Sequence, residues 1–249
     1  MIQKIEELSM NALPALSTVF VDGWILRFAN GYSKRANSVN PIYPCSVNLE
    51  SNVAICERLF QENNLDTVFK LTEQEEIYKL DELLSQRGYS YEAKTNIMVK
   101  NILGFKIQES EKANAFVYRE LREDWFEAFI TMNRINVQNA QTLRRMLQNI
   151  IPDTYYGYVM ENGSITAVGL GVSERGYVGM YDICVEEDRR RQGLGTKIMN
   201  NLIDAALEDG CTYSYLQVVD ANEPAKALYE KLGYEKLYSY WYRVKKKTK

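Results

Sequence analysis

Between Tyr177 and Met199 the chain reads YVGMYDICVEEDRRRQGLGTKIM, and this stretch restricts the fold more than any other. A β-type run ends in acidic residues, and a basic turn follows, Arg189-Arg190-Arg191-Gln192. Gly193-Leu194-Gly195-Thr196 then opens a helix with Leu194, Ile198, Met199, Leu202, Ile203 and Ala206 on one face. Glycines there let a ligand approach the backbone, and amides at a helix start point toward it with the positive end of the dipole. Arginines add fork geometry suited to phosphate oxygens. The segment is therefore composed like a pyrophosphate cradle, with a solvated tight turn as its plain alternative. Two familiar phosphate loops fail to match: Ile198 stands where GxGxxG needs its third glycine, and Gly195-Thr196-Lys197 does not complete GxxxxGK[ST].

The surrounding pattern predicts an α+β fold. Runs at 155 to 161, 164 to 172 and 177 to 185 read as strands, and Asn162-Gly163 between the first two is a two-residue hairpin signal. A strand near 114 to 119, helices at 122 to 137 and 139 to 149, a strand at 213 to 219, a helix at 223 to 232 and a last strand at 234 to 244 complete this half. Its central sheet is expected to be mostly antiparallel and flanked by helices. In the first half, 18 to 28 is a β-rich run, Asn30-Gly31 a turn and 34 to 39 a returning strand. Helices at 50 to 63 and 74 to 87 enclose a strand at 66 to 71, and 90 to 100 is extended. The polar stretch at 101 to 113 marks the expected boundary, giving domains 1–108 and 109–249.

Composition removes whole classes of chemistry. The 249 residues include no histidine, so Ser-His-Asp and Cys-His triads, His-ligated zinc and an imidazole base are all excluded. No metal site is expected. A net charge of -3 argues against general nucleic-acid binding, which draws its affinity from phosphate neutralisation. No apolar run approaches a membrane span. Four cysteines without CxxC spacing and an acidic, amphipathic start point to a cytoplasmic protein with free thiols, monomeric or homodimeric.

A faint repeat links the halves: residues 79 to 100 and 224 to 245 each carry a helix ending in Gly-Tyr before a strand. Gly88-Tyr89 superposes on Gly233-Tyr234 and pairs Leu84 with Tyr229. Duplication and common helix punctuation both account for it.

The pattern Arg190-x-x-Gly193-x-Gly195 after a strand, followed by LQVVDANEPAKALYEKLGY, resembles the GNAT superfamily of acyl-CoA-dependent N-acyltransferases over about residues 113 to 244. Asn222, Ala225, Leu228, Tyr229, Gly233 and Tyr234 stand at the spacing of that family's later motif. The resemblance implies acetyl-CoA as donor, with pyrophosphate on the loop Arg190, Arg191, Gln192, Gly193, Leu194, Gly195 and Thr196, and with Asn222 also in the coenzyme site. It implies further that Ile183, Cys184 and Val185 splay from the neighbouring strand, exposing backbone for the pantetheine arm. PALSTVFVDGWILRFANGYSKRANSVNPIYP, residues 14 to 44, looks like the amino-terminal part of two-domain GNAT proteins. That half lacks the loop and has Leu84 in place of Tyr229, so it is expected to be a degenerate GNAT-like domain.

Acyl transfer to an amine needs a neutral amine, help for the charge developing on the acyl oxygen, and a proton for the departing thiolate. The Val185 N–H suits the oxygen. Tyr229 shares a helix face with Ala225, Leu228 and Leu232, and the resemblance makes it the general acid, against a core tyrosine. Asp182 is a candidate base, with ordered water as its rival, because strand alternation leaves its face open. Glu186 and Glu187 can equally mark a solvated turn. Cys184 without an activating partner is expected to be inert. Trp24, Arg27, Arg35 and Asn37 offer either acceptor contacts or an interface brace. The expected activity is N-acetyl transfer to a small-molecule or peptide amine in a ternary complex. The alternatives are a noncatalytic CoA-binding sensor or scaffold, or an O- or S-acyltransferase.

Overall fold

The computed structural model describes residues 1–46 and 48–247. In chain order it contains α1 (Ile2–Ala12), β1 (Ser17–Val21), β2 (Trp24–Phe28), a 3-10 turn (Lys34–Ala36), β3 (Val39–Asn40), α2 (Leu49–Glu62), β4 (Thr67–Thr72), α3 (Glu75–Gln86) and β5 (Ser90–Asn101). There follow α4 (Glu109–Lys112), β6 (Ala115–Tyr118), α5 (Glu123–Met132), α6 (Val137–Gln148), β7 (Asp153–Glu161), β8 (Ser164–Glu174) and β9 (Tyr177–Val185). A second 3-10 turn (Glu187–Arg189), α7 (Leu194–Glu208), β10 (Tyr213–Val219), α8 (Glu223–Lys231) and β11 (Glu235–Lys245) end it. Among the described residues no helix is long and apolar enough to cross a membrane.

Two compact units form. One takes the chain to Asn96, then Val219–Ala221 and the stretch from Tyr238; the other takes Ile97–Val218 and Asn222–Leu237. The units interleave, whereas the sequence-based division is a single cut at 108/109. β5 begins in the first unit and ends in the second, and β11 does the reverse, so local helix-strand patterns do not reveal which strands pair.

In the first unit the strands lie in the order β1-β2-β3-β4-β11-β5. The run at 18 to 28 is two strands rather than one: Val21↔Trp24 closes an antiparallel hairpin over Asp22 (φ 42°) and Gly23 (φ 84°). The return strand shrinks to Val39–Asn40 because Asn37 takes over the backbone around it. Its Oδ1 accepts from Ala29 N at 2.7 Å and Gly31 N at 2.9 Å, and its Nδ2 donates to Ser33 O at 2.9 Å. Helices α2 and α3 bury Phe60, Leu80 and Leu84 with Trp24, Phe69 and Leu71 of the sheet.

The second unit orders its strands β5-β10-β9-β8-β7-β6. β6 to β9 form an antiparallel meander, with Asn162 (φ 51°) and Gly163 (φ 80°) at the expected hairpin turn, and β10 joins β9 in parallel. Ile198, Met199, Leu202 and Ile203 of α7 pack on this sheet with Val178, Met180 and Leu216. The helix comes close because glycines lie beneath it: a Cβ at Gly169 would sit 2.5 Å from Ile198 Cγ2.

Candidate active site

β9 and β10 share a paired register only from Tyr177↔Tyr213 to Met180↔Leu216, although both strands continue. The other edge of β9 shows the cause. Its register with β8 passes from Leu170↔Tyr181 to Val168↔Cys184, so Asp182 and Ile183 together oppose Gly169. Asp182 takes the left-handed conformation, φ 53°, that one extra residue demands. The bulge coincides with the end of the β9/β10 register, so Ile183, Cys184 and Val185 have no partner in β10 in that register. Glu186 N–H donates to Thr166 O at 3.0 Å. Since successive N–H groups alternate, the Val185 N–H points away from β8, where it also lies near the Cys184 sulfur.

Gly169 is forced by this arrangement, since a Cβ there would lie 2.7 Å from Ile183 Cδ1. Its carbonyl finds a partner in α5: Trp125 Nε1 donates to Gly169 O at 3.2 Å and to Gly157 O at 3.0 Å. Neither Trp125 nor Gly169 belongs to a sequence motif, although glycines recurring inside strands are a readable sign of close approach.

The basic turn leads into α7 through Arg191 (φ 62°) and Gly193 (φ 85°), the helix N-cap. The first intrahelical bond is Lys197 N to Gly193 O at 3.0 Å, which leaves the amides of Leu194, Gly195 and Thr196 ahead of it. A Cβ at Gly193 would meet nothing within 4 Å. At Gly195 it would meet only Leu228 Cδ2 at 3.8 Å and Val185 Cγ2 at 3.9 Å, so the end of β9, the start of α7 and the face of α8 converge there. Arg190, Arg191 and Gln192 are exposed, Arg190 Nε lying 3.4 Å from Val185 O and Gln192 Nε2 3.3 Å from Asp188 O. Arg189 departs from the expected trio: its guanidinium is held by the Glu161 carboxylate, with Nε at 3.2 Å.

On α8, Asn222 acts as N-cap, its Oδ1 accepting from Ala225 N at 3.3 Å. Tyr229 is half-buried beside Tyr234, ring centroids 6.2 Å apart, and burial pushes its phenol above the ordinary value of 10.0. It therefore stays protonated throughout the neutral range. Asp182 is half-buried, and its charge helps raise the Tyr156 phenol, which burial first of all carries to about 12. Tyr156 in turn meets Trp125 of α5 edge to face at 5.1 Å. Burial raises the Cys184 thiol, partly offset by a hydrogen bond with Asn133, and a neutral thiol is a poor nucleophile. Asn133, at the end of α5, had no motif to announce it.

A family model described as "Probable histone acetyltransferase Rv0428c C-terminal" matches residues 1–243. The chain is 26% identical over 250 residues to "Uncharacterized N-acetyltransferase YobR" of Bacillus subtilis, covering 98% of this chain and 99% of that one. Its fold is similar to that of a GCN5-related N-acetyltransferase from Kribbella flavida, with TM-score 0.73, 15% identity and coverage of 98% and 95%. It also resembles a tandem GNAT protein from the clavulanic acid biosynthesis pathway, with TM-score 0.66, 9% identity and coverage of 96% and 86%.

Proposed function

The chain belongs to the family that this model describes, one of GNAT-type N-acetyltransferases, and on that premise we propose that its second unit passes an acetyl group from acetyl-CoA directly to a primary amine in a ternary complex. GNAT acetyltransferases use acetyl-CoA. The observation that carries the reading is the convergence, at Gly195, of a bulged strand end, a helix start and the tyrosine-bearing helix.

The residues present fit such a donor. Gly193 leaves space that the chain itself does not fill, and the unpaired amides at the start of α7 lie beside it with the exposed Arg190 and Arg191 next in the chain. The pantetheine arm fits the unpaired edge of β9 beyond Met180. A bound thioester supplies the activated acyl group. The Val185 N–H stabilises the charge that develops on the acyl oxygen, and Tyr229, kept protonated by burial, gives its proton to the departing sulfur. Asp182 takes the proton of the acceptor ammonium; its left-handed position in the bulge, with its charge felt at Tyr156, supports this role. Cys184 takes no covalent part, consistent with its raised thiol.

Thiol release from acetyl-CoA over a panel of small-molecule and peptide amines tests the reading. Release that depends on an added amine is expected; coenzyme binding with no amine-dependent release would instead indicate a sensor.

A further inference from the structure

Several sequence features of the first unit play no part in the site described above, and the structure gives most of them a bracing role. Arg27 is buried and donates to Arg35 O at 2.6 Å, Met10 O at 3.1 Å and Leu13 O, which pins β2 beneath the end of α1. Asn37 ties the turn after β2. The Asp22 carboxylate accepts from Ser46 N at 2.8 Å, Ser46 Oγ at 2.6 Å and Asn52 Nδ2 at 3.1 Å, so the turn between β1 and β2 is held as well. β1, the last strand of the order, has β2 on one side and no strand on the other.

The hydrogen bonds of β2 show which main-chain groups of β1 face outward. Arg27 N–H donates to Ser38 O at 3.0 Å and Ile25 O accepts from Asn40 Nδ2 at 3.3 Å, so Ile25 and Arg27 turn toward β3. Trp24, Leu26 and Phe28 alternate with them and turn toward their register partners Val21, Val19 and Ser17. That leaves Thr18 and Phe20 as the residues of β1 whose N–H and C=O point away from the sheet. Among the described residues neither has a hydrogen bond there. The side chains are open too, Phe20 being 72% and Val19 39% exposed. Ser17–Val21 carries no charged residue and no proline, two of the devices that ordinarily keep such an edge from pairing.

We propose that β1 pairs with β1 of a second copy of this chain, antiparallel about a twofold axis at Val19. In that register Thr18 of one copy lies opposite Phe20 of the other, so the outward-facing residues meet and exchange both main-chain bonds, and the axis repeats the pair. Val19 meets its counterpart on the axis, at the closely spaced position of about 4.5 Å between Cα atoms. The two Phe20 rings share a face as diagonal neighbours, within aromatic reach. No like charges confront each other, because the strand has none. The edge thus supplies both halves of its own pairing, which favours a second copy over an unrelated extended segment. A ladder this short buries less than a standard interface of about 1,600 Å², so the association is reversible. β1 lies wholly within the first unit, and the proposal stands apart from the acetyl-transfer reading.

Sedimentation equilibrium of the full chain tests it. The average mass climbs from that of one chain toward that of two as the protein rises from about 1 μM to 1 mM. Thr18→Pro removes an outward N–H and spares the bonds between β1 and β2; it stays folded in thermal unfolding while association weakens at least about tenfold. Phe20→Lys, at an exposed position, brings like charges together across the axis and weakens association about tenfold as well. Adding Thr18→Glu to Phe20→Lys sets opposite charges face to face in this register and recovers most of that loss. A one-chain mass at every concentration, a mass growing beyond two chains, undiminished association in either folded single variant, or a double variant no better than Phe20→Lys would each overturn the assignment.

Discussion

The indole N–H of Trp125 reaches the carbonyl of Gly169 at 3.2 Å, on the stretch of β8 where two residues of β9 stand against one. That carbonyl faces a disrupted ladder, and the same N–H also serves Gly157 O at 3.0 Å. Trp125→Phe keeps the ring but leaves two buried acceptors without this donor. We expect a loss of about 1–3 kcal/mol in urea unfolding with little change in slope. A rise in KM for acetyl-CoA should accompany it, because the bulge that opens the β9 edge loses its brace. An unchanged unfolding midpoint would show the contact to be dispensable.

Gly193 separates backbone strain from ligand repulsion. Since nothing lies within 4 Å of a Cβ there, Gly193→Ala meets only the cost of a left-handed conformation, about 1 kcal/mol. Gly193→Glu carries the same strain and adds a negative charge at the positive end of α7. In calorimetry with acetyl-CoA, Gly193→Glu should weaken binding at least about tenfold more than Gly193→Ala. Equal affinities in the two variants would remove the pyrophosphate assignment.

Tyr229 should be needed for turnover rather than for folding. Its phenol is raised by burial, so the proton is present below its folded pKa, which lies above 10.0, and is lost only at higher pH. Tyr229→Phe retains the packing against Tyr234 and removes the proton; kcat is expected to fall by about 10²–10⁴ while coenzyme affinity holds. A fully active variant would discard the acid role.

How far this site could be read from sequence depended on which signals were local. Gly193, Gly195 and the amphipathic face of α7 announced the helix start because each acts within a few residues of itself. Asp182 could not be assigned a face, since the bulge that turns it is set by Gly169 on another strand. Asn133 reaches Cys184 only because α5 folds over the sheet, a contact with no signature along the chain. The Gly-Tyr repeat carries less than its spacing suggested. Tyr89 N donates to Leu84 O and Tyr234 N to Tyr229 O, each at 3.0 Å, but Leu65, Ile135 and Cys211 end their helices by the same bond. The passage of β5 and β11 from one unit to the other likewise has no local signature.

Acid stability should report the Asp209 cluster. The Arg119 guanidinium, and after it the Tyr155 hydroxyl, hold the Asp209 carboxyl below its ordinary range, and Arg119 also lies 4.5 Å from the centre of the Tyr155 ring. A carboxyl depressed in the folded state contributes fully above its unfolded pKa, about 3.9, and loses that contribution as pH falls through the folded value. Asp209→Asn should therefore cost about 1 kcal/mol at pH 7, a modest figure because the pair is partly exposed. It should also flatten the loss of stability below about pH 4. Parallel acid unfolding curves for the two proteins would contradict this.

Asp182→Asn isolates the proton route. Asparagine tolerates the left-handed conformation that Asp182 adopts at φ 53°, so the bulge should survive the change. What disappears is the carboxylate, and the chain has no histidine to replace it. Below the acceptor's own pKa the variant should lose about 10²–10³ in kcat/KM, because the amine arrives protonated and no base receives its proton. As pH climbs toward that pKa the free amine grows in proportion, and the gap between the variant and the parent should close. KM for acetyl-CoA should stay constant throughout. A variant that follows the parent at every pH would give the deprotonation to water, leaving Asp182 to shape the strand alone.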